Sequence, residues 1–346
     1  MEPKALTWWD AIDKLPQIET WQDWGEIFLD VPTWAPVVTE ICRRAGLPCR
    51  TITAGYPGSN AVFIANASDP EARVVVKIYA PLCPEDYDFE REIHPLLSQI
   101  PELGAPRLIA HGVLASQTRW PYVVLSFVPG EPIREVRDEI SDGNLMQIAA
   151  DLGHRVRALH AIPPAMVTSL DATIDGWRRY VAQQVPRTIK ALRRESDLPN
   201  RLLAQIPAFV DDVLAPSPRG GATSLQRELV LVSGDITADH VLLIVKDGAW
   251  CISGLIDFAD ARVAPPDYEW VPLWFSAFDR DAAAFDAFLR AYDPALCLDA
   301  AFYRRALAFT FLHEFGASII AQTLPPRVQH KLEDVEDLLA ALWQQA

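Results

Sequence analysis

Cysteine is scarce in this chain and follows no pattern. The five cysteines (Cys42, Cys49, Cys83, Cys251 and Cys297) are scattered, odd in number and never spaced as CxxC. A disulfide framework or a paired-cysteine zinc site is therefore not expected, and a reducing compartment fits. Positive charge is also in deficit: 31 Lys and Arg face 46 Asp and Glu, for a formal charge of −15. Nucleic acid and anionic membrane surfaces repel such a protein, so neither is expected as a partner. A small cationic molecule is compatible with it. No apolar run approaches membrane-spanning length. The N-terminus "MEPKALTWWDAIDK" has no basic segment followed by an apolar core, so a cytoplasmic location is expected. GxxxxGK[ST] does not occur, which disfavours a Walker-type NTPase. Internal repeats and low-complexity tracts are absent too.

What remains is the balance of a soluble globular protein. Half of the 346 residues are hydrophobic and 22% are charged, enough for two lobes with a sizeable core. The first segment is rich in tryptophan: Trp8, Trp9, Trp21, Trp24 and Trp34. "TWAPVVTEICRRAGL" places Trp34, Val37, Val38, Ile41 and Cys42 at helical spacing and stops at Gly46, which predicts a helical extension over residues 1–48 packing on the body of the protein. The β-branched runs "CRTITAG", "NAVFIAN" and "ARVVVKIYA" follow, separated by Gly, Pro, Asn and Asp, and predict an antiparallel meander. "EDYDFEREIHPLLSQI" is an amphipathic helix, and "APRLIAHGVL" and "WPYVVLSFV" resume strand character. "PGEPI" breaks the pattern and marks a boundary, giving a small β-rich lobe over 49–129 and a large helical lobe over 130–346. In that second lobe "DGNLMQIAADLGHRVRALHAI", "EWVPLWFSAF", "AAAFDAFLRAY", "FYRRALAFTFLHEFGASII" and "LEDVEDLLAALWQ" each predict a helix, and a loop is expected at "APSPRGG".

Three stretches carry chemistry. In "RVVVKIYA", strand alternation puts Lys77 on the face of Val75 and Tyr79, opposite Val74, Val76 and Ile78. A lysine so flanked either snorkels or serves an ion pair or ligand. On the helix that follows, Glu92 falls nearer the apolar stripe than Glu90, so Glu92 is the expected partner. "TAGYPGSNAVF" supplies Gly55 and Gly58 with Ser59 and Asn60 between two strands, where small residues let backbone N–H groups approach phosphate oxygens. The third stretch is "GDITADHVLLIV" and the later "ISGLIDFADA". Catalytic loops of kinases carry an Asp, a metal ligand five positions on, and a second metal-binding Asp after a strand. Asp235 plus five is His240, and Asp257 closes the second strand after "KDGAW", a plausible hairpin turn. Asp235 is the expected base for an attacking hydroxyl, with His240 and Asp257 holding Mg²⁺. Asp239 is expected only to cap a local turn.

At these residues the chain resembles the aminoglycoside phosphotransferase/choline kinase family. "VSGDITADHVLLI" and "IDFADARVAPPDYEWVPLW" look like its paired motifs HGDLxxxN and IDWxxA with GDPxYDLA. "GSNAVF", "VVVKIYA", "FEREIHPLL", "VVLSFVPGEPI" and "VRALHAIP" match its upstream landmarks in order. The resemblance covers roughly residues 50–275, and the C-terminal region is similar to hygromycin-type antibiotic kinases. It implies a protein-kinase-like α+β fold of two lobes: a small antiparallel sheet with one helix, then a large, mainly helical lobe. It also implies ATP or GTP with Mg²⁺ and phosphorylation of a small-molecule hydroxyl. The backbone of Ser126, Phe127 and Val128 would meet the nucleotide base, and Lys77, Glu92, Gly58, Ser59 and Asn60 the phosphates. Three departures stand out. Ser233 replaces the usual His, Pro265 the usual Asp, and His240 the usual Asn. Imidazole is a poorer match for Mg²⁺ than an amide oxygen.

The sequence therefore points to a small-molecule O-phosphotransferase. An aminoglycoside or related aminosugar is the preferred acceptor, its cationic groups met by Asp260, Asp279 and Glu314. Choline, homoserine or sugar phosphorylation, or a pseudokinase with little turnover, are the alternatives; a nucleotidyl transferase has no residue in its favour.

Overall fold

The computed structural model describes residues 18–55, 58–67, 72–82, 84–115, 119–215 and 229–344. Trp8, Trp9, Cys83 and most of "APSPRGG" lie outside the described residues. The chain divides into two compact units, Met1–Val128 and Pro129–Ala346. Among the described residues no helix is long and apolar enough to cross a membrane, and Cys42, Cys49, Cys251 and Cys297 are free thiols.

In the first unit, helix α1 (Trp21–Ile27) starts at Thr20, whose side chain and that of Asp23 cap each other's backbone N–H. Helix α2 (Val31–Arg44) starts at Asp30, which accepts from the Thr33 N–H. Strands β1 (Thr51–Ala54), β2 (Ala61–Asn66), β3 (Val74–Ile78), β4 (Leu108–Ala115) and β5 (Arg119–Ser126) form one antiparallel sheet in the order β1-β2-β3-β5-β4. Helix α3 (Pro84–Leu97) connects β3 to β4. Alternation along the strands divides the apolar residues between two faces. Phe63, Val76, Ile78 and Val124 pack with Trp24 of α1 and Trp34, Val37 and Ile41 of α2. Val75, Tyr79, Val123 and Leu125 form a second cluster with Tyr87 of α3. Lys77 shares that second face, as its alternation in the sequence requires. Each large side chain fully buried here contributes about 1.5–3 kcal/mol, so Trp24 and Trp34 of the tryptophan-rich segment are part of the core of this unit.

The second unit begins with β6 (Glu131–Pro132), α4 (Ile133–Val136), α5 (Asp142–His160), α6 (Ile174–Glu195), α7 (Asn200–Leu203) and α8 (Ile206–Leu214). Strand β7 (Val230–Val232) leads into the Asp235 loop, and β8 (Val241–Lys246) and β9 (Ala249–Leu255) form the expected hairpin. Its two turn residues, Asp247 and Gly248, have φ of 52° and 79°, the left-handed pair that suits the twist of a tight hairpin. Strand β10 (Arg262–Ala264) returns beside β7. Five helices follow: α9 (Trp270–Pro272), α10 (Ala282–Tyr292), α11 (Ala300–Leu312), α12 (Gly316–Thr323) and α13 (Pro326–Gln329), with α14 (Val335–Trp343) ending the described chain.

Two expected helices are modified. "EWVPLWFSAF" passes from α9 into a π-helical turn over Leu273–Ala277, and "FYRRALAFTFLHEFGASII" breaks into α11 and α12. The break has a steric basis at Gly316, where a Cβ would stand 1.8 Å from the Thr310 carbonyl oxygen. Only glycine fits that approach. The interruption at His313–Phe315 turns His313 toward the Asp235 loop.

Candidate active site

The Asp235 loop is held from three sides. The fully buried Glu269 accepts from the Ser233 N–H at 2.6 Å and the Gly234 N–H at 3.1 Å. His313 Nε2–H donates to the Gly234 carbonyl at 3.0 Å, while its ring stacks on Tyr268 at 4.6 Å between centroids. Ser276, carried by the π-helical turn, accepts from the Ala238 N–H at 3.1 Å. Gly234 has φ of 77°, and a Cβ there would lie 2.7 Å from the Asp260 carbonyl oxygen, so this position requires glycine. Ser233, in the place of the family's usual His, contributes its backbone N–H to this clamp. His160 sits behind Glu269, with Nε2 3.5 Å from its carboxylate and Nδ1 2.9 Å from the Tyr292 hydroxyl. Asp239 does not cap a turn: it forms a two-pronged pair with Arg134 at 2.6 and 2.7 Å, and so ties the loop to α4.

Within the loop, His240 Nδ1 lies 2.7 Å from the Asp235 carbonyl oxygen. A carbonyl only accepts, so Nδ1 carries the proton and a neutral ring keeps its lone pair on Nε2. Nε2 faces Asp257 Oδ2 at 4.0 Å, and Asp235 Oδ2 is 3.3 Å from Nδ1. Two acceptors that face each other call for a proton or a cation between them. Asp257 has φ of 57°, a left-handed backbone that aspartate tolerates better than most residues, and its Oδ1 accepts from the Ala259 N–H at 3.3 Å. Burial pushes the Asp235 carboxyl up to about 7; the carboxylates of Asp260, Asp257 and Glu269 add to that rise and His240 opposes it. This range suits a group that takes a proton near neutrality.

The donor set fits a hard divalent ion that completes its shell elsewhere. Among the described residues no three His, Cys, Asp or Glu side chains form a ready-made metal cage. Magnesium in phosphate-handling sites needs only one or two protein ligands, with phosphate and water supplying the rest. His240 Nε2 and Asp257 Oδ2 could provide that pair, the nitrogen favouring somewhat softer ions.

Of the three carboxylates expected to meet an acceptor, Asp260 is half-buried in the same loop system and its charge acts on Asp235. Glu314 is paired with Arg262. That arginine also donates to the Asp260 carbonyl at 3.3 Å and lies over the rings of Tyr180 and Tyr268, 5.3 and 5.1 Å from their centroids. Asp279 is exposed in the turn before α10, where its charge acts on Arg134.

In the first unit Lys77 is buried, and its ion pair is with Glu90 rather than the expected Glu92. Two positions on an α-helix differ by about 200° in direction. Glu90 lies on the buried side of α3 with Ile93, His94 and Leu97, whereas Glu92 is half-buried. His94 Nδ1–H donates to the Pro106 carbonyl at 3.0 Å, with Nε2 3.5 Å from Glu90. Gly58 and Ser59 are exposed and Asn60 is buried, its Oδ1 accepting from the Ala80 N–H at 3.2 Å. Ser126 is pinned to Arg107 at 2.9 Å in both directions. The Phe127 ring lies under the Arg73 guanidinium at 3.9 Å. The backbone groups of Phe127 and Val128 have no hydrogen-bond partner among the described residues.

A family model described as the phosphotransferase enzyme family matches residues 50–309, well over half of the chain. The chain belongs to this phosphotransferase enzyme family. It has the kinase-like fold of aminoglycoside phosphotransferases. Solved structures with the same fold include an aminoglycoside 2''-phosphotransferase with GDP and kanamycin, 18% identical, with a TM-score of 0.64 and coverage of 89% of this chain and 97% of that one. Another is an aminoglycoside 2''-phosphotransferase with streptomycin and ATP, 18% identical, TM-score 0.54, covering 83% and 90%. A third is the aminoglycoside phosphotransferase APH(3'')-Id from Streptomyces rimosus, 18% identical, TM-score 0.53, covering 82% and 99%. A curated relative, lysine-specific demethylase JMJ21 of Arabidopsis thaliana, is 20% identical over 217 residues, which are 55% of this chain. This phosphotransferase spans only 23% of that relative's length. His313, Arg262 and Ser276 carry no signal in the sequence; Glu269 does, as the acid at the retained end of the GDPxYDLA motif, and Glu90 is the glutamate that the helical wheel ranks behind Glu92.

Proposed function

We propose that this phosphotransferase moves the terminal phosphoryl group of ATP or GTP to a hydroxyl of a small cationic molecule, with aminoglycosides as the preferred acceptor class. One observation carries the reading: the loop that presents Asp235 also fixes the His240 ring, through the Asp235 carbonyl, with its Nε2 lone pair toward Asp257. In the proposed reaction Asp235 accepts the proton of the acceptor hydroxyl as that oxygen bonds to the terminal phosphorus. The bond from phosphorus to the bridging oxygen breaks, and the nucleoside diphosphate leaves with the electron pair. Magnesium, held by His240 and Asp257 when bound, neutralises charge on the phosphate oxygens. Lys77, held extended by Glu90, would meet phosphate oxygens, as would backbone N–H groups of the Gly58–Asn60 loop. The open backbone of Phe127 and Val128 would meet the base. Asp260, whose charge acts on Asp235, would meet an ammonium group of the acceptor.

The complexes of similar fold with GDP and kanamycin and with ATP and streptomycin support the donor and acceptor classes. Incubation with ATP or GTP and a panel of aminoglycosides and amino alcohols, followed by mass detection of an added phosphate, tests the proposal. Phosphorylation of an aminoglycoside is expected, and expression in a sensitive bacterium should then raise tolerance to it. His240 in place of asparagine favours a second reading, a nucleotide-binding pseudokinase. Tight nucleotide binding with no transfer to any acceptor would select it.

A further inference from the structure

The helices ahead of the first strand reach the loop between β1 and β2. Trp24 of α1 is 2% exposed and packs against Trp34 and Trp120, with ring centroids 6.0 and 6.2 Å away. Its indole Nε1–H points out of that cluster and donates to the Ser59 carbonyl at 2.8 Å. A peptide unit is planar and trans, so its C=O and N–H point in opposite directions. Holding the Ser59 carbonyl toward Trp24 therefore turns the Asn60 N–H away from the aromatic cluster. That N–H has no hydrogen-bond partner among the described residues, although Asn60 is only 2% exposed. A donor left unmet in so buried a residue costs free energy unless water or a ligand satisfies it. Gly55 and the Asn60 side chain are held independently. The Gly55 N–H donates to the Val62 carbonyl at 2.7 Å, and the Asn60 side chain holds the Ala80 N–H at 3.2 Å.

We propose that Trp24 is a positioning residue for the nucleotide phosphates: its indole N–H orients the Ser59–Asn60 peptide so that the Asn60 N–H is available to a phosphate oxygen. This rests on the reading of Gly58–Asn60 as a phosphate-contacting loop. Trp24 lies outside the stretch that the family model matches, which begins at residue 50, so this contribution belongs to the N-terminal segment of this chain.

The test compares Trp24→Phe with the wild type in binding of ATP and GTP, each set against its nucleoside. Phenylalanine retains an aromatic ring in the cluster and removes the donor. The loss of one hydrogen bond should weaken triphosphate binding about two- to twelve-fold and leave adenosine and guanosine binding unchanged, and in turnover the nucleotide KM should rise while the acceptor KM stays. Thr20→Ala, which removes the exposed cap of α1 without touching the aromatic cluster, should give a smaller shift of the same selectivity and keeps the test open if Trp24→Phe does not fold. Unchanged triphosphate binding in both variants would overturn the proposal, as would equal weakening of triphosphate and nucleoside. Lys77→Ala is the parallel control. If it abolishes triphosphate binding while Trp24→Phe has no effect, the nucleotide reading stands and the Trp24 proposal fails. If Lys77→Ala leaves triphosphate binding intact, the reading of this unit fails, and the proposal with it.

Discussion

His313→Gln separates a buried histidine's role in stability from its neighbours' roles. His313 is 1% exposed, and burial, reinforced by the charge of Arg262 and opposed by the hydrogen bond to Gly234, lowers its pKa from 6.5 to about 3. The folded chain therefore keeps this ring neutral at pH values where the unfolded chain protonates it. A depressed pKa of this kind leaves stability intact above about 6.5 and removes it as pH falls toward about 3. The slope approaches about 1.4 kcal/mol per pH unit, so from pH 7 to pH 4.5 this one ring costs roughly 2–3 kcal/mol. Glutamine cannot titrate, yet its amide can still donate toward the Gly234 carbonyl. The variant should be less stable at pH 7, through loss of the stacking on Tyr268, by about 1–3 kcal/mol. Over the same acid range it should lose roughly 2–3 kcal/mol less than the wild type. Denaturant-unfolding curves for both proteins between pH 7 and pH 4.5 make the comparison. Parallel stability–pH profiles would refute the reasoning, since His313 would then titrate alike in the folded and unfolded chains.

Other expectations follow from single contacts. Glu90→Gln should raise the nucleotide KM several-fold toward that of Lys77→Ala, whereas Glu92→Gln should leave it within about two-fold, because Glu90 is the buried carboxylate that forms an ion pair with the lysine; steady-state kinetics with nucleotide varied would decide. Gly316→Ala should cost more than about 3 kcal/mol or abolish folding, because the added methyl would meet the Thr310 carbonyl; thermal unfolding would check it, and a near-wild-type midpoint would contradict the packing described. His240→Asn should shift the metal preference from Mn²⁺ toward Mg²⁺, since an oxygen ligand replaces nitrogen. Metal titrations of activity that are identical for both proteins would remove His240 from the metal site.

The parts legible in the sequence were those set by short-range periodicity and loop spacing. Strand alternation alone put Lys77 on the face of Val75 and Tyr79, and the five-residue interval from Asp235 to His240 was visible before any fold. The Asp-Gly turn announced the hairpin that brings Asp257 back. What escaped depends on contacts distant in sequence. Whether Glu90 or Glu92 faces the sheet is decided by how α3 rolls onto it, and the apolar stripe alone did not fix that angle. The apolar-rich stretch from Phe302 to Ile320 reads as one helix because nothing local shows that the Thr310 carbonyl crowds Gly316. His313 and Glu269 reach the Asp235 loop from positions 79 and 35–36 residues further along the chain, separations at which no spacing rule operates. The pairing of Glu314 with Arg262, 52 residues away, is likewise beyond any spacing rule.

The account stands on Asp235 as the group that takes the acceptor's proton, and one paired measurement on Asp235→Asn addresses it. Asparagine keeps the shape of the side chain but cannot act as a base. Nucleotide affinity should stay within a few-fold of the wild type, while phosphate transfer to the acceptor, followed by mass in single turnover, should fall by about 10²–10⁴-fold. Transfer at a near-wild-type rate with nucleotide affinity preserved would contradict the mechanism.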